Sequence, residues 1–162
     1  MSDQGETRRI VQRGLYFEEF EEGALYAHAP GRTVTEADNV LFTTLTMNTQ
    51  SLHLDAAWSA GTEFGERLVN SMFTLSTLVG LSVAQLTQGT IVANLGFESV
   101  RFPAPVRVGD TLYAETLVTG KRLSSSRPGQ GIVEFAHTMR NQRGEVVAEA
   151  TRKTLMLCRP QE

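Results

Sequence analysis

Apolar positions change their spacing along the chain, and this change separates a helical first half from a second half made of strands. One helix is predicted to follow Thr35 and to end near Met47, and a second helix is predicted over 71–85. Thr35 is a suitable N-cap, and the acidic residues that follow it favour the positive end of a helix dipole. Apolar residues cover nearly the whole circumference of the second helix, which predicts that it is buried on most sides.

From Ile91 onward the pattern is typical of long antiparallel strands, predicted at 91–102, 111–123, 131–141 and 145–157. The segments between them carry proline, glycine, serine and asparagine, which are turn-forming residues. Helices followed by a run of strands with short connections indicate an α+β fold. A long central helix wrapped by a curved antiparallel sheet fits this order best.

The length and composition of the chain fit one domain, and they argue against nucleic-acid binding and membrane insertion. The chain has 162 residues, of which 41% are hydrophobic and 20% charged. Residues 1–14 lack apolar periodicity and are predicted to be a flexible N-terminal arm, with a single domain over 15–162. A net charge of −3 offers nucleic acid no strong attraction, and no apolar stretch is long enough to suggest membrane insertion. The polar N-terminus predicts a cytoplasmic protein.

Cys158 is the single cysteine of the sequence, so neither an internal disulfide nor a zinc cluster built on cysteines is expected. Candidate chemistry instead lies at 46–65, a segment dense in hydrogen-bonding groups between the two helices. Loops of this kind frequently carry functional residues. It contains His53, although a lone histidine in a loop is more often structural than catalytic. His28 and His137 are interpreted as strand residues without a role.

Three stretches of sequence resemble the MaoC-like dehydratases, the group of (R)-specific enoyl-CoA hydratases: MNTQSLHLD, TEFGERLVNSMFTLS and VRFPAPVRVGDTL. The resemblance runs from about Phe17 to Leu157. It implies a hotdog fold, a homodimer or higher homo-oligomer, and a hydro-lyase that hydrates a 2-enoyl-CoA thioester. It implies no metal and no redox cofactor, since coenzyme A is part of the substrate. The NTQ-x-LH and LVNS strings are similar to the branch of mesaconyl-CoA and itaconyl-CoA hydratases.

The resemblance also assigns residues. Family members carry a catalytic Asp, an Asn two residues later, then Pro, and a His five residues after the Asp. His53 stands at the His position, but Asn48 stands at the Asp position, with Gln50 and Ser51 in place of the Asn and the Pro. Gln50 is therefore a candidate substrate-binding residue.

Hydration of a 2-enoyl thioester requires three kinds of catalytic group. A base must take a proton from water, an acid must protonate the α-carbon, and fixed N–H groups must stabilise the thioester oxygen. His53 titrates near neutral pH and can act as base and then as acid. The amides of Ser71 and Met72, at the start of the central helix, are candidate oxyanion donors. Asn70, next to them, is a candidate for substrate binding and is also a good helix N-cap.

Asn48 leaves three interpretations open, because a carboxamide cannot serve as a base. His53 performs both proton steps while Asn48 orients the water, which we favour. Alternatively Asp55 or Glu63 supplies a carboxylate, or the site binds acyl-CoA without turnover. Asn48 could equally cap the turn after the first helix.

Substrate contacts are predicted from charge and size. Arg67 is a candidate partner for the carboxylate of a dicarboxylic acyl group, and Arg127 for the phosphates of coenzyme A. The expected acyl group is short, with branched and dicarboxylic groups as options, and its pocket is predicted to be formed by Phe42, Trp58, Phe64, Met72 and Phe73. A hotdog acyl-CoA thioesterase and an inactive acyl-CoA-binding subunit are the alternative functions.

Overall fold

The computed structural model describes residues 7–161, and its secondary structure follows the predicted order. After a short 3-10 helix, Phe17–Glu19, the helices and strands are β1 Leu25–Ala27, β2 Arg32–Thr33, α1 Glu36–Leu45, α2 Ser51–Leu54, α3 Ala56–Ala60, α4 Ser71–Leu86, β3 Ile91–Arg101, β4 Thr111–Leu123, β5 Gln130–Arg140 and β6 Val146–Leu157. The two predicted helices correspond to α1 and α4, and the four predicted strands to β3–β6. The Thr35 side chain accepts a hydrogen bond from the Asp38 amide, which confirms it as an N-cap.

The strands form an antiparallel sheet in the order β1-β4-β5-β6-β3, and β2 pairs with the start of β4. The central helix α4 packs against β4, β5 and β6. Alternate side chains of β5 are buried on the side that faces α4, which are those of Val133, Phe135, His137 and Met139. The predicted α+β architecture, a long helix on one face of an antiparallel sheet, is confirmed.

One prediction about α4 holds only in part within this chain, because the flanks of the helix are half-buried and one side is exposed. The helix was expected to be buried on most sides, but its fully buried residues form one stripe at every fourth position, Thr74, Leu78, Ser82 and Leu86. The sheet can cover only one side of a helix, so the opposite stripe, which includes Met72, Ser76 and Gly80, is exposed. This exposed side carries Met72, 46% exposed, together with the small residues Ser76 and Gly80.

The segment 46–65 is more ordered than a polar loop. It carries α2 and α3, which are too short to produce a helical periodicity in the sequence. Asp55 separates them, and its side chain accepts the Trp58 amide as the N-cap of α3. These two short helices hold His53 beside the start of α4.

A polar layer divides the hydrophobic core. One apolar cluster includes Ala114 on β4 and Met139 on β5, and the other includes Val118 and Phe135 on the same strands. The buried positions between them are polar: Thr116 on β4, His137 on β5 and Arg152 on β6.

The predicted N-terminal arm lies partly outside the described residues, which begin at residue 7. Residues 7–13 have no regular secondary structure and are exposed. The Gly14 amide donates to the Gln88 carbonyl at 2.7 Å, and a Cβ at Gly14 would lie 2.5 Å from the Thr87 nitrogen. The chain is therefore held against the body of the domain from Gly14 onward.

Candidate active site

A cavity of about 480 Å³ opens beside the N-terminus of α4. It lies between α2, the segment that leads into α4, and the connection from β3 to β4. Its lining residues are Leu52, His53, Phe64, Leu68, Val69, Ser71, Thr74, Phe102, Pro103, Ala104, Pro105, Val106 and Val147. The lining is apolar except at His53, Ser71 and Thr74, so these three residues carry the polar chemistry available inside it.

His53 is fixed by a hydrogen bond to the backbone. Its ring Nδ1 lies 2.9 Å from the Leu68 carbonyl oxygen, which can only accept, so Nδ1 carries the hydrogen. In the neutral ring, Nε2 then holds a lone pair and can act as a base. The Leu68 amide donates to the Leu52 carbonyl at 3.1 Å, which ties α2 to the segment that leads into α4.

Ser71 supplies the backbone amide at the start of α4. As the first helical residue, it has no acceptor within the helix, and the positive end of a 16-residue helix dipole lies at this point. The Met72 amide donates to Asn70 Oδ1 at 2.9 Å. It is therefore already engaged, and the geometry favours Ser71 alone of the two candidate oxyanion donors.

Asn70 is buried and acts as the N-cap of α4. Besides accepting the Met72 amide, its side chain donates through Nδ2 to Thr43 Oγ1 at 3.2 Å. Both ends of the carboxamide are thus used within the protein. The predicted role in helix initiation is confirmed, and Asn70 does not line the cavity.

Asn48 serves the turn after α1. Its Oδ1 accepts the Gln50 amide at 3.1 Å, and its own amide donates to the Thr43 carbonyl at 3.0 Å. Met47, just before it, has a φ of 55°, a left-handed conformation that reverses the chain. Neither Asn48 nor the exposed Gln50 is among the residues that line the cavity. The geometry agrees with the turn-capping interpretation of Asn48.

The two candidate carboxylates, Asp55 and Glu63, do not line the cavity. The Asp55 side chain caps α3, where it accepts the Trp58 amide at 2.9 Å. Glu63 is exposed. The structure therefore does not bring either carboxylate to the position that Asn48 leaves without a base.

The two candidate arginines are not brought to the cavity within this chain. Arg67 forms an ion pair with Glu36 at 2.7 Å and lies in a separate, smaller depression of about 240 Å³. Arg127 is exposed in the turn between β4 and β5. That turn lies at the opposite end of the 13-residue strand β4 from the cavity, roughly 40 Å away along the strand.

Of the five residues predicted to form the acyl pocket, Phe64 lines the cavity. Phe42 and Phe73 pack edge to face, with ring centroids 5.7 Å apart, and support α1 against α4. Trp58 and Met72 are about half exposed, at 51% and 46%. The 102–106 segment also lines the cavity and was not predicted from the sequence. Two prolines between apolar residues were the signal that could have identified it as a rigid wall.

Asn39 was also not identified as a site residue. It is fully buried on α1, and its side chain contacts both the His53 carbonyl and the Asn70 amide. Asn39 and Thr43, one turn apart, are the two buried residues of α1, and both are polar. That spacing was the available signal.

Within residues 7–161, no three or more histidine, cysteine, aspartate or glutamate side chains are grouped so that they could hold a metal ion. No helix in this part of the chain has both the length and the apolar character needed to cross a membrane.

The fold and site define an α+β domain with a cavity between a histidine and a helix N-terminus, and comparison with known proteins gives its family. A profile described as "MaoC like domain" matches residues 19–141. The mesaconyl-CoA hydratase of Haloarcula marismortui is 32% identical over 161 residues, covering 97% of this chain and 43% of that protein. The (R)-specific enoyl-CoA hydratase of Rhodospirillum rubrum is 34% identical over 106 residues, covering 65% of this chain and 70% of that protein.

A solved structure gives the fold its name. A conserved hypothetical protein from Mycobacterium tuberculosis, described as having a double hotdog fold, superimposes with a TM-score of 0.83 at 26% identity. The alignment covers 92% of this chain and 46% of that one. The chain belongs to the MaoC-like family and has its hotdog fold. It spans 35% to 43% of the length of the first three curated relatives it matches.

Proposed function

We propose that the protein is a hydro-lyase that interconverts a 2-enoyl-CoA thioester and its (R)-3-hydroxyacyl-CoA. The observation that carries this proposal is the pairing of His53 and Ser71 in one cavity. Nε2 of His53 is available as a base because Nδ1 donates to the Leu68 carbonyl. The Ser71 amide lies at the positive end of α4, where negative charge is stabilised. The names of the hydratase relatives agree with this chemistry.

In the proposed mechanism, His53 carries out both proton steps. Nε2 takes a proton from water as the hydroxyl oxygen bonds to the β-carbon, and the electrons of the double bond move onto the thioester oxygen. The Ser71 amide donates to this oxygen. The protonated His53 then returns its Nε2 proton to the α-carbon, the carbonyl is restored, and one water has been added across one face.

We propose that the acyl group is short, apolar and uncharged. Among the described residues that line the cavity, none is a lysine, an arginine or a carboxylate. A carboxylate on the acyl group would enter this apolar space without a partner, which is unfavourable. Arg67, the residue expected to bind such a group, is paired with Glu36 instead. We propose that the protein also binds the coenzyme A part of the substrate, and no side chain is assigned to its phosphates.

We propose that the protein functions as a homodimer through β3 and the exposed side of α4. β3 is an edge strand of 11 residues, and its outer edge has no strand partner within residues 7–161. It presents apolar side chains that are substantially exposed, Val92, Leu95 and Phe97, with Phe102 directly beyond. A long, apolar, unpaired edge is unfavourable in an isolated chain, and a second copy would cover it.

The experiment that tests the function is hydration of crotonyl-CoA, followed as the loss of absorbance of the conjugated thioester. A dehydrogenase specific for (S)-3-hydroxyacyl-CoA, added as a coupling enzyme, should not oxidise the product. Release of free coenzyme A at the rate of enoyl loss would instead indicate the thioesterase. Tight binding of crotonyl-CoA without turnover would indicate the acyl-CoA-binding subunit. Asn48 supports that alternative, because its side-chain carboxamide cannot act as a base.

A further inference from the structure

One buried side chain joins the two halves of the candidate site. Asn39 lies on α1 with none of its surface exposed. Its Nδ2 donates to the His53 carbonyl at 3.1 Å, and its Oδ1 accepts the Asn70 amide at 2.9 Å. His53 is on the single-turn helix α2, and Asn70 immediately precedes Ser71 at the start of α4. A single carboxamide therefore spans the gap between the element with the proposed base and the element with the proposed oxyanion donor.

We propose that Asn39 is a positioning residue that sets the geometry between the His53 imidazole and the Ser71 amide. The proposal rests on the proposed function, because it concerns the reaction assigned to these two groups. Asn39 does not line the cavity, so it acts through His53 and Asn70 and not through contact with substrate.

The orientation of this carboxamide is fixed by its partners. Both partners are backbone groups of set polarity, a carbonyl that can only accept and an amide that can only donate. The side chain must therefore present its nitrogen to His53 and its oxygen to Asn70. Aspartate has the same shape but would place a carboxylate oxygen against the His53 carbonyl. Leucine has a similar volume and would leave both backbone groups without their partner.

Loss of this connection should affect the rate more than substrate binding. α2 contains four residues, too few to be stable on its own, so its position depends on its contacts. It is connected to the segment before α4 through the Leu68 amide and the His53 ring, and to α3 through the Ser59 hydroxyl. Asn39 adds the connection to α1. A displacement of α2 by a fraction of an ångström would misalign Nε2 with the water and the β-carbon while the apolar walls stayed in place.

The test compares Asn39→Asp and Asn39→Leu with the same two changes at Asn141. Asn141 is a matched control because it is also a buried asparagine, 2% exposed, that uses both ends of its side chain. Its Nδ2 donates to Glu145, and its Oδ1 accepts the Arg143 and Glu145 amides in the turn between β5 and β6. Each variant is assayed with crotonyl-CoA for kcat and KM.

The expected result is a fall in kcat of about 10- to 100-fold for both Asn39 variants, with a much smaller change in KM. The Asn141 variants should keep the wild-type kcat. Wild-type kcat in the Asn39 variants, or an equal loss of kcat in the Asn141 variants, would overturn the proposal.

A spectroscopic measurement tests the same proposal without activity. In protein labelled with ¹⁵N-histidine, the imidazole signals of His53 should shift in the Asn39 variants. The signals of His28 and His137, which are buried and bonded elsewhere, should not move. Unchanged His53 signals in a folded variant would overturn the proposal. If the variants do not fold, slow hydrogen exchange of the wild-type Asn70 amide supports it, and exchange at the rate of an open amide overturns it.

These measurements separate the two claims. A wild-type protein that does not hydrate crotonyl-CoA would contradict the proposed function. The histidine signals and the Asn70 amide would still report whether Asn39 positions α2 against α4.

Discussion

Arg152 donates through Nε to Nε2 of His137 at 2.9 Å, and both side chains are buried in the polar layer that divides the core. A guanidinium has no acceptor, so His137 Nε2 must accept and its Nδ1 must carry the hydrogen. Nδ1 then donates to Thr116 Oγ1, Thr116 donates to His28 Nε2, and His28 Nδ1 donates to Gln85 Oε1. The fixed cation at one end therefore sets both histidines as neutral rings.

This arrangement predicts that the domain loses stability in mild acid. Burial, followed by the charge of Arg152 and by His28, lowers the pKa of His137 from 6.5 to about 3. The unfolded chain therefore binds this proton first, and the stability of the neutral ring is complete above about pH 6.5 and is lost as the pH falls toward 3. His137 alone should cost about 2 kcal/mol of unfolding free energy between pH 7 and pH 5. Burial lowers the pKa of His28 in the same direction.

Urea unfolding of wild type and His137→Gln at pH 7 and pH 5 measures this effect. Glutamine can accept from Arg152 and donate to Thr116 but does not titrate. The variant should lose less stability than wild type over this interval. An equal loss in both proteins would show that His137 is not the group responsible. Paired carboxylates such as Glu19, whose pKa is lowered from 4.5 to about 2, contribute little to this interval, because their stabilisation is lost mainly as the pH falls below the unfolded value of 4.5.

Asn70 should stabilise α4 as its N-cap. Asn70→Ala removes the acceptor for the Met72 amide, whereas Asn70→Ser keeps a side-chain oxygen that can cap. The alanine variant is expected to be about 1 kcal/mol less stable than the serine variant in urea unfolding. Equal stability of the two variants would contradict the capping role.

Phe97 should be part of the proposed dimer interface. It is opposite Arg152 in the pairing of β3 and β6, on the same side of the sheet as α4, yet 38% exposed. Phe97→Lys is expected to shift the protein from dimer to monomer in sedimentation velocity. Leu123→Lys is the matched control, because it places the same charge at an exposed apolar residue at the far end of β4. A monomeric wild type, or dissociation by both variants, would contradict the proposed interface.

Arg67 should not be needed for turnover. The wild-type protein is expected to have a higher kcat/KM for crotonyl-CoA than for mesaconyl-CoA. Arg67→Ala should leave both values close to wild type, because Arg67 faces Glu36 outside the cavity. A preference for mesaconyl-CoA that is lost in Arg67→Ala would refute the uncharged acyl group and restore the dicarboxylic assignment.

The sequence predicts the framework well because that information is local. The N-cap at Thr35, the apolar run of α4 and the turn residues between the long strands each act over a few positions. The exposed side of α4 could not be predicted. Apolar residues surround the whole helix, so the sequence does not show which side packs against the sheet of the same chain. Helix α2 escaped prediction because four residues cannot establish a period.

The site was predicted in part for the same reason. His53 and Ser71 could be selected from motif positions, and the structure brings both to one cavity. The hydrogen bond from the Met72 amide to the Asn70 side chain could not be predicted, since it depends on the rotamer of Asn70. The Arg67–Glu36 pair joins residues 31 positions apart, and the connection through Asn39 depends on the packing of α1 against α2 and α4.

In the proposed mechanism, His53 performs both proton steps beside the Ser71 amide without a carboxylate at position 48. The most direct test is kcat for crotonyl-CoA hydration in wild type, His53→Gln and Asn48→Ala, each shown to be folded by urea unfolding. Glutamine at position 53 can still donate to the Leu68 carbonyl but cannot take up a proton. We expect a loss of about 10²- to 10⁴-fold for His53→Gln and a smaller loss for Asn48→Ala. Wild-type turnover by His53→Gln would show that His53 does not perform the proton steps.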